Sequence, residues 1–279
     1  MKISFRLESA EDHYAVEALT REAFWKFWEA ERTICDEHLL VHRLRTTSSF
    51  IPELNIVAEL EGKIVGHIIY TKSKIVDDAE HEYETLTFGP LSVLPEYQNM
   101  GIGKALMLHS FDKAKTLGYR AVIIFGHPDY YPRVGFQRAA EFGITTADGN
   151  TFDPFMVYPL YDNAIDGIFG RYHIDPVYEQ LTQEDALNFD KQFPFKEPFV
   201  PTSINLLLDC LKPDAKKALE SINCPTLEMM TSKSEREISN LAGIDESAIE
   251  TIHHVLRKHS IKWGHPQDFG QLERPYSGR

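Results

Sequence analysis

The stretch Gly89-Pro90-Leu91-Ser92-Val93-Leu94-Pro95-Glu96-Tyr97-Gln98-Asn99-Met100-Gly101-Ile102-Gly103-Lys104-Ala105 organises the reading of the whole chain. Apolar residues up to Val93 end a strand. A short turn carries Gln98, Gly101 and Gly103, and a Pro-free run from Lys104 to Leu117 reads as a helix that stops before Gly118. Such a turn aims several backbone N–H groups outward at a helix N-terminus, where the dipole favours an anion. Glycine lets the main chain approach a ligand with no Cβ in the way. The pattern predicts a cradle for a diphosphate.

Three phosphate loops compete for this pattern. A Walker A loop requires Gly, four residues, then Gly-Lys-Ser/Thr. Here Gln98 stands at the first glycine and Ala105 at the metal-binding hydroxyl. A dinucleotide fingerprint requires Gly-x-Gly-x-x-Gly, but Leu106 follows Gly101 and Gly103 at the third position. The third pattern, Gln-x-x-Gly-x-Gly after a strand ending in Val-x-Pro-Glu-Tyr, fits residue by residue. It resembles the acetyl-coenzyme A loop of the GNAT superfamily of N-acetyltransferases. Pro52–Glu59, Gly66-His67-Ile68, the block Asp129-Tyr130-Tyr131-Pro132-Arg133-Val134-Gly135-Phe136 and Phe189–Pro194 resemble the bacterial group of that superfamily typified by YhbS.

Around the loop, residues 2–8 alternate as a first strand, and Ser9 to about Leu44 is helical in character. Asn55–Leu60 and Lys63–Tyr70 read as a hairpin turning at Glu61-Gly62, followed by strands Thr85–Val93 and Tyr119–Phe125. A short helical turn at Tyr130–Val134 precedes two more strands near Gln137–Ile144 and Phe155–Leu160. The order predicts an α/β (mixed α+β) fold, a twisted mixed sheet flanked by helices. The resemblance spans roughly residues 1–165, so residues 1–168 are expected to form the acetyl-CoA-binding domain and 169–279 a linker and helical C-terminal region. In that region, helical patterns run over Ser203–Leu211, Asp214–Ile222 and Lys233–His259. Ser234-x-x-Glu237 forms a capping box, Gly243 a break and Asp245 a cap.

The 279 residues are 43% hydrophobic and 25% charged, ordinary for a globular protein. No apolar run approaches the length of a membrane helix, and the N-terminus has no secretory h-region. Cys35, Cys210 and Cys224 are scattered, which argues for free thiols packed in the interior, a reducing cytoplasmic setting and no zinc site. The net charge of −13 disfavours nucleic acid and draws cations, protonated amines included. Residues 171–279 carry 13 Lys/Arg against 17 Asp/Glu, so the Gly-broken C-terminal helices, reminiscent of a helix-turn-helix or helix-hairpin-helix, lack the charge for DNA.

The resemblance implies that backbone groups of Leu91, Ser92 and Val93 hold the pantetheine arm of acetyl-CoA. Gln98, Asn99, Met100, Gly101, Ile102, Gly103, Lys104 and Ala105 would wrap its diphosphate, with no metal. Tyr131 stands four residues before Gly135-Phe136, the family spacing for a general acid that protonates the departing thiolate. Glu84 and His127 are the candidate bases for the incoming ammonium, Glu84 if desolvated and His127 through its near-neutral imidazole. The expected activity is transfer of acetyl from acetyl-CoA to a primary amine of a small molecule or peptide, directly in a ternary complex. A homo-oligomer is compatible with this reading. The rival reading is an acyl-CoA sensor acting on a protein or DNA partner through the C-terminal helices.

Overall fold

A computed structural model describes residues 3–25, 34–128, 130–231, 233, 235–261 and 263. Among these the chain divides into two compact units, 3–24 with 36–195, and 196–263 with 25, 34 and 35. The first unit runs in order through β1 (Ile3–Leu7), α1 (His13–Ala23), α2 (Glu37–Leu44), β2 (Ile56–Leu60), β3 (Lys63–Val76), β4 (Glu82–Val93) and α3 (Ile102–Thr116). It continues with β5 (Ala121–Phe125), β6 (Gln137–Arg138), β7 (Ile144–Thr146), β8 (Phe155–Pro159), β9 (Gly170–His173) and α4 (Gln183–Asp190).

The strands form one mixed sheet in the order β1-β2-β3-β4-β5-β8-β6, with β9 beside the far half of β3 and β7 beside β9. Only β4–β5 and β7–β9 are parallel. Successive side chains of a strand point to opposite faces. Ile68 and Tyr70 therefore join Leu106, Met107 and Phe111 of α3 on one face. Val57 and Ile69 meet Val16 of α1 and Leu40 and Leu44 of α2 on the other. Each such side chain taken fully out of water contributes roughly 1.5–3 kcal/mol.

The expected strands are present, with edges moved. β3 and β4 run longer than the patterns suggested, because each pairs the other along its length. The single strand expected near 137–144 is instead two short strands around a 3-10 turn at Ala139–Phe142. β9 and α4 were not expected, and both lie past the boundary drawn at 168. The helix α3 ends as expected. Gly118 takes φ 89°, and the amides of Gly118 and Tyr119 return to the carbonyls of Lys115 and Ala114 (3.0 and 3.1 Å).

In the second unit, α5 (Asn205–Leu208), α6 (Pro213–Glu220), α7 (Leu227–Thr231), α8 (Glu235–Ser239) and α9 (Glu246–Lys258) enclose Leu207, Leu227, Met230, Ile238 and Ile252. Turns with left-handed residues join the successive helices. α6 turns into α7 through left-handed Asn223, and α8 into α9 through left-handed Gly243. Thr226 caps α7 by accepting from the Met229 amide (3.1 Å), and Asp245 caps α9 through the Ala248 amide (2.7 Å). Ser234 of the expected capping box lies outside the described residues. One cysteine corrects the expectation of three interior thiols. Cys35 and Cys224 are buried, but Cys210 is exposed at the end of α5, where its position just past a short helix leaves it uncovered.

Candidate functional site

The opening between β4 and β5 is where the loop residues gather. Their pairing register holds one pair, Leu86 with Val122, and β4 continues for seven residues beyond it. The Leu94 amide donates to the Val65 carbonyl of β3 (3.0 Å). Alternation therefore turns the backbone groups of Ser92 toward β3, and those of Leu91 and Val93 toward the opening. The Gln98 side-chain amide donates to the Val93 carbonyl (3.1 Å), tying the loop back onto the strand it leaves.

The chain then passes through left-handed Asn99 (φ 61°) and Gly101 (φ 81°) into α3. The first bond of the helix runs from the Ala105 amide to the Gly101 carbonyl (3.0 Å), so the amides of Ile102, Gly103 and Lys104 precede the intrahelical ladder. Asn99, Met100, Gly101 and Lys104 are exposed. Gln98, Gly103 and Ala105 are half-buried, and the Ile102 side chain is inside.

The two glycines differ. Gly101 needs its left-handed backbone. At Gly103 a Cβ would sit 3.7 Å from Leu91 Cδ2 and from Val93 Cγ2 and 3.8 Å from the Tyr130 hydroxyl. These are ordinary contacts, so the fold itself does not demand glycine there.

Tyr131 opens a 3-10 turn, Tyr131–Val134, that ends at left-handed Gly135. It is 2% exposed, edge-on to Phe136 (ring centroids 5.3 Å) and to Tyr130 (5.1 Å). A Cβ on Gly126 would collide with its ring. Burial first, and then Tyr130, raise its phenol well above the ordinary value, so the hydroxyl keeps its proton. The Tyr130 and Tyr131 amides both donate to the His127 carbonyl (3.1 and 3.3 Å), which holds half-buried His127 just past the end of β5. Arg133 is exposed. Asp129 lies outside the described residues.

Two expected site residues are placed elsewhere. Glu84 lies seven positions before Leu91, about 20 Å along the strand. It is exposed and paired with Lys72 (3.1 Å), as Glu82 is with Lys74. The desolvation asked of it is missing, because its face of the β3–β4 ribbon meets solvent. The buried Ser92 hydroxyl donates to Thr20 Oγ1 of α1 (3.0 Å), so backbone and side chain of Ser92 both face away from the opening.

The sequence reading also passed over two buried polar groups. On β3, His67 Nε2 meets Asn55 Oδ1 (2.7 Å), and the Asn55 amide donates to Glu8. Arg45 clasps Glu8 with two donors (3.0 and 2.6 Å) and reaches Glu17 (2.5 Å). Burial drives His67 down to about 4, against the pull of Glu8 and with that of Arg45 and His13. At neutral pH the ring is uncharged, and Arg45 is the counterion of Glu8. The second group joins α4 to α1 and α2. Arg21 grips Asp190 with two donors (2.5 and 2.9 Å), and His38 Nε2 stands 3.2 Å from the same carboxylate. Burial opposes the charge on Asp190, yet His38 and Arg21 hold its carboxyl down to about 2. Gly66-His67-Ile68 and Phe189–Pro194 were visible as short motifs, but nothing in their spacing shows these long-range partners.

Comparison with known proteins bears on this arrangement. The sequence model of the Acetyltransferase (GNAT) family matches residues 18–140, which contain the loop, the opening and the tyrosine pair. Residues 18–140 of this chain, less than half of it, match as a GNAT-family acetyltransferase domain. Its relatives include the uncharacterized N-acetyltransferase YhbS of Escherichia coli K12, 29% identical over 170 residues, 60% of this chain and 95% of that protein. A second, YjhQ of the same organism, is 37% identical over 101 residues, 36% of this chain. The match spans about half of YjhQ, 55% of its length.

Among solved structures, Escherichia coli YhbS in complex with CoA superposes with a TM-score of 0.56 at 26% identity, over 65% of this chain and 94% of that one. A GNAT family acetyltransferase from Brucella melitensis shares the fold, with a TM-score of 0.51 at 23% identity over 63% and 98%. The GNAT domain is of an acyltransferase family. β8, β9 and α4 complete its sheet and helical cover beyond the matched residues. Among the described residues no helix is long and apolar enough to cross a membrane.

Proposed function

We propose that this protein moves the acetyl group of acetyl-CoA to a primary amine in a ternary complex. The observation that carries the reading is the set of three amides outside the helical ladder at the start of α3, next to the part of β4 that runs on past its pairing with β5. The amides of Ile102, Gly103 and Lys104 would hold the diphosphate of acetyl-CoA, with Asn99, Met100, Gly101 and Ala105 shaping the turn and Gln98 fixing it to β4. The outward backbone groups of Leu91 and Val93 would bond the amide-bearing arm as a strand would. YhbS, a relative on this fold, binds CoA in its crystal structure.

The bound thioester supplies an activated acyl group. Tyr131, kept protonated by burial, donates its hydroxyl proton to the sulfur that departs as a thiolate. His127, at the mouth of the opening, takes the proton from the incoming ammonium. With Cys35 buried and Cys210 and Cys224 in the second unit, the acyl group goes straight to the amine with no covalent enzyme intermediate. The acidic molecule draws protonated amines toward it; small-molecule and peptide amines both suit this chemistry.

The test is thiol release from acetyl-CoA over a panel of primary amines, with initial rates taken at several fixed concentrations of each substrate. Intersecting lines and a kcat lowered about 10- to 100-fold in Tyr131→Phe support the reading. Parallel lines, or full turnover by Tyr131→Phe, contradict it.

A further inference from the structure

Two adjacent tyrosines follow the end of β5, and the structure separates them. Tyr131 is packed inward against Gly126 and Phe136. Tyr130 is half-buried. Its hydroxyl reaches the first turn of α3, 3.8 Å from where a Gly103 Cβ would be, at the same spot faced by Leu91 and Val93. Two β4 side chains, the first turn of α3 and the Tyr130 hydroxyl thus meet at one spot. Tyr130 is held there from both sides. Its amide donates to the His127 carbonyl (3.1 Å), its carbonyl accepts from the Arg133 amide (3.1 Å), and its ring stands edge-on to Tyr131.

We propose that the Tyr130 hydroxyl is a further donor of the diphosphate cradle, closing over the phosphates from the side opposite the α3 amides. The inference rests on the acetyl-CoA reading above and assigns to Tyr130 a binding role that no motif spacing had given it. A phenol meeting a phosphate oxygen makes an O–H···O⁻ bond, short and about twice as strong as a neutral one. Partial burial raises the Tyr130 phenol, so the proton stays on it beside an anion. Each tyrosine then has one task, Tyr130 to hold the carrier and Tyr131 to protonate its sulfur.

The experiment is calorimetric titration of wild type, Tyr130→Phe and Tyr131→Phe with CoA and with pantetheine, which has the arm and thiol but no phosphate. Tyr130→Phe retains the ring, so its thermal midpoint is expected to match wild type. Its affinity for CoA falls about tenfold, and its affinity for pantetheine is unchanged. Tyr131→Phe keeps its affinity for CoA. Wild-type affinity of Tyr130→Phe for CoA overturns the assignment, and so does an equal loss with pantetheine, which would move the contact to the arm. A wild-type protein that binds no CoA overturns the acetyl-CoA reading itself, a result distinct from either.

Discussion

Gly101 and Gly103 are two residues apart and are glycine for different reasons. Gly101→Ala places a Cβ in the left-handed region and is expected to cost about 1 kcal/mol in chemical denaturation. Gly103→Ala meets only ordinary contacts, so its stability should equal or exceed that of wild type while CoA affinity drops. A third glycine, Gly126, faces the Tyr131 ring. Gly126→Ala forces that ring aside and should cost about 1–3 kcal/mol together with turnover, read by thermal melting and thiol release. The loop glycines were legible because their spacing follows from what a main-chain cradle needs. The division between Tyr130 and Tyr131 was not. Neighbouring residues of a 3-10 turn point about 120° apart, and only the packing of Tyr131 against Gly126 decides which hydroxyl faces α3.

At the scale of elements, α4 is held by charge rather than by its own helical pattern. Arg21 and Asp190 are nearly buried, at 5% and 15% side-chain exposure. Asp190→Ala leaves Arg21 without its clasp and is expected to destabilise by about 3 kcal/mol, with Arg21→Ala non-additive in a double-mutant cycle. His67 adds a pH dependence. Its folded value of about 4 lies below the unfolded value of roughly 6.5, so unfolding takes up a proton between them. Stability is therefore full above about pH 6.5 and declines as pH falls toward 4, by about 2 kcal/mol between pH 7 and pH 5. Urea unfolding at the two pH values should show this slope, and His67→Gln should flatten it. β2, β3, β4 and α3 were legible as elements because alternation, a Glu-Gly turn and a glycine stop mark them. β9 and α4 were not: four residues pairing with β3 and eight residues secured by Arg21 carry too little local pattern, and those partners are between 95 and 169 positions away.

At the scale of the molecule, the loop residues 98–105 and both tyrosines belong to the first unit, while the second has its own core around Leu227, Met230 and Ile252. Ile252→Ala removes a fully buried side chain and should cost that unit about 2–5 kcal/mol. If acetyl transfer is the work of the first unit, CoA affinity and kcat remain those of wild type below the lowered transition. A change in CoA affinity would instead favour a cofactor-responsive role for the C-terminal helices. The break between α8 and α9 was visible from Gly243 and Asp245, but what these helices do was not, since an acidic sequence names no ligand. The central claim is that main-chain amides at the start of α3 bind the diphosphate of CoA beside Gly103. Titration of CoA into wild type and Gly103→Ala, matched for thermal stability, tests it most directly. The account predicts one site per chain in wild type and an affinity at least tenfold weaker in the variant; equal affinities in the two proteins would contradict it.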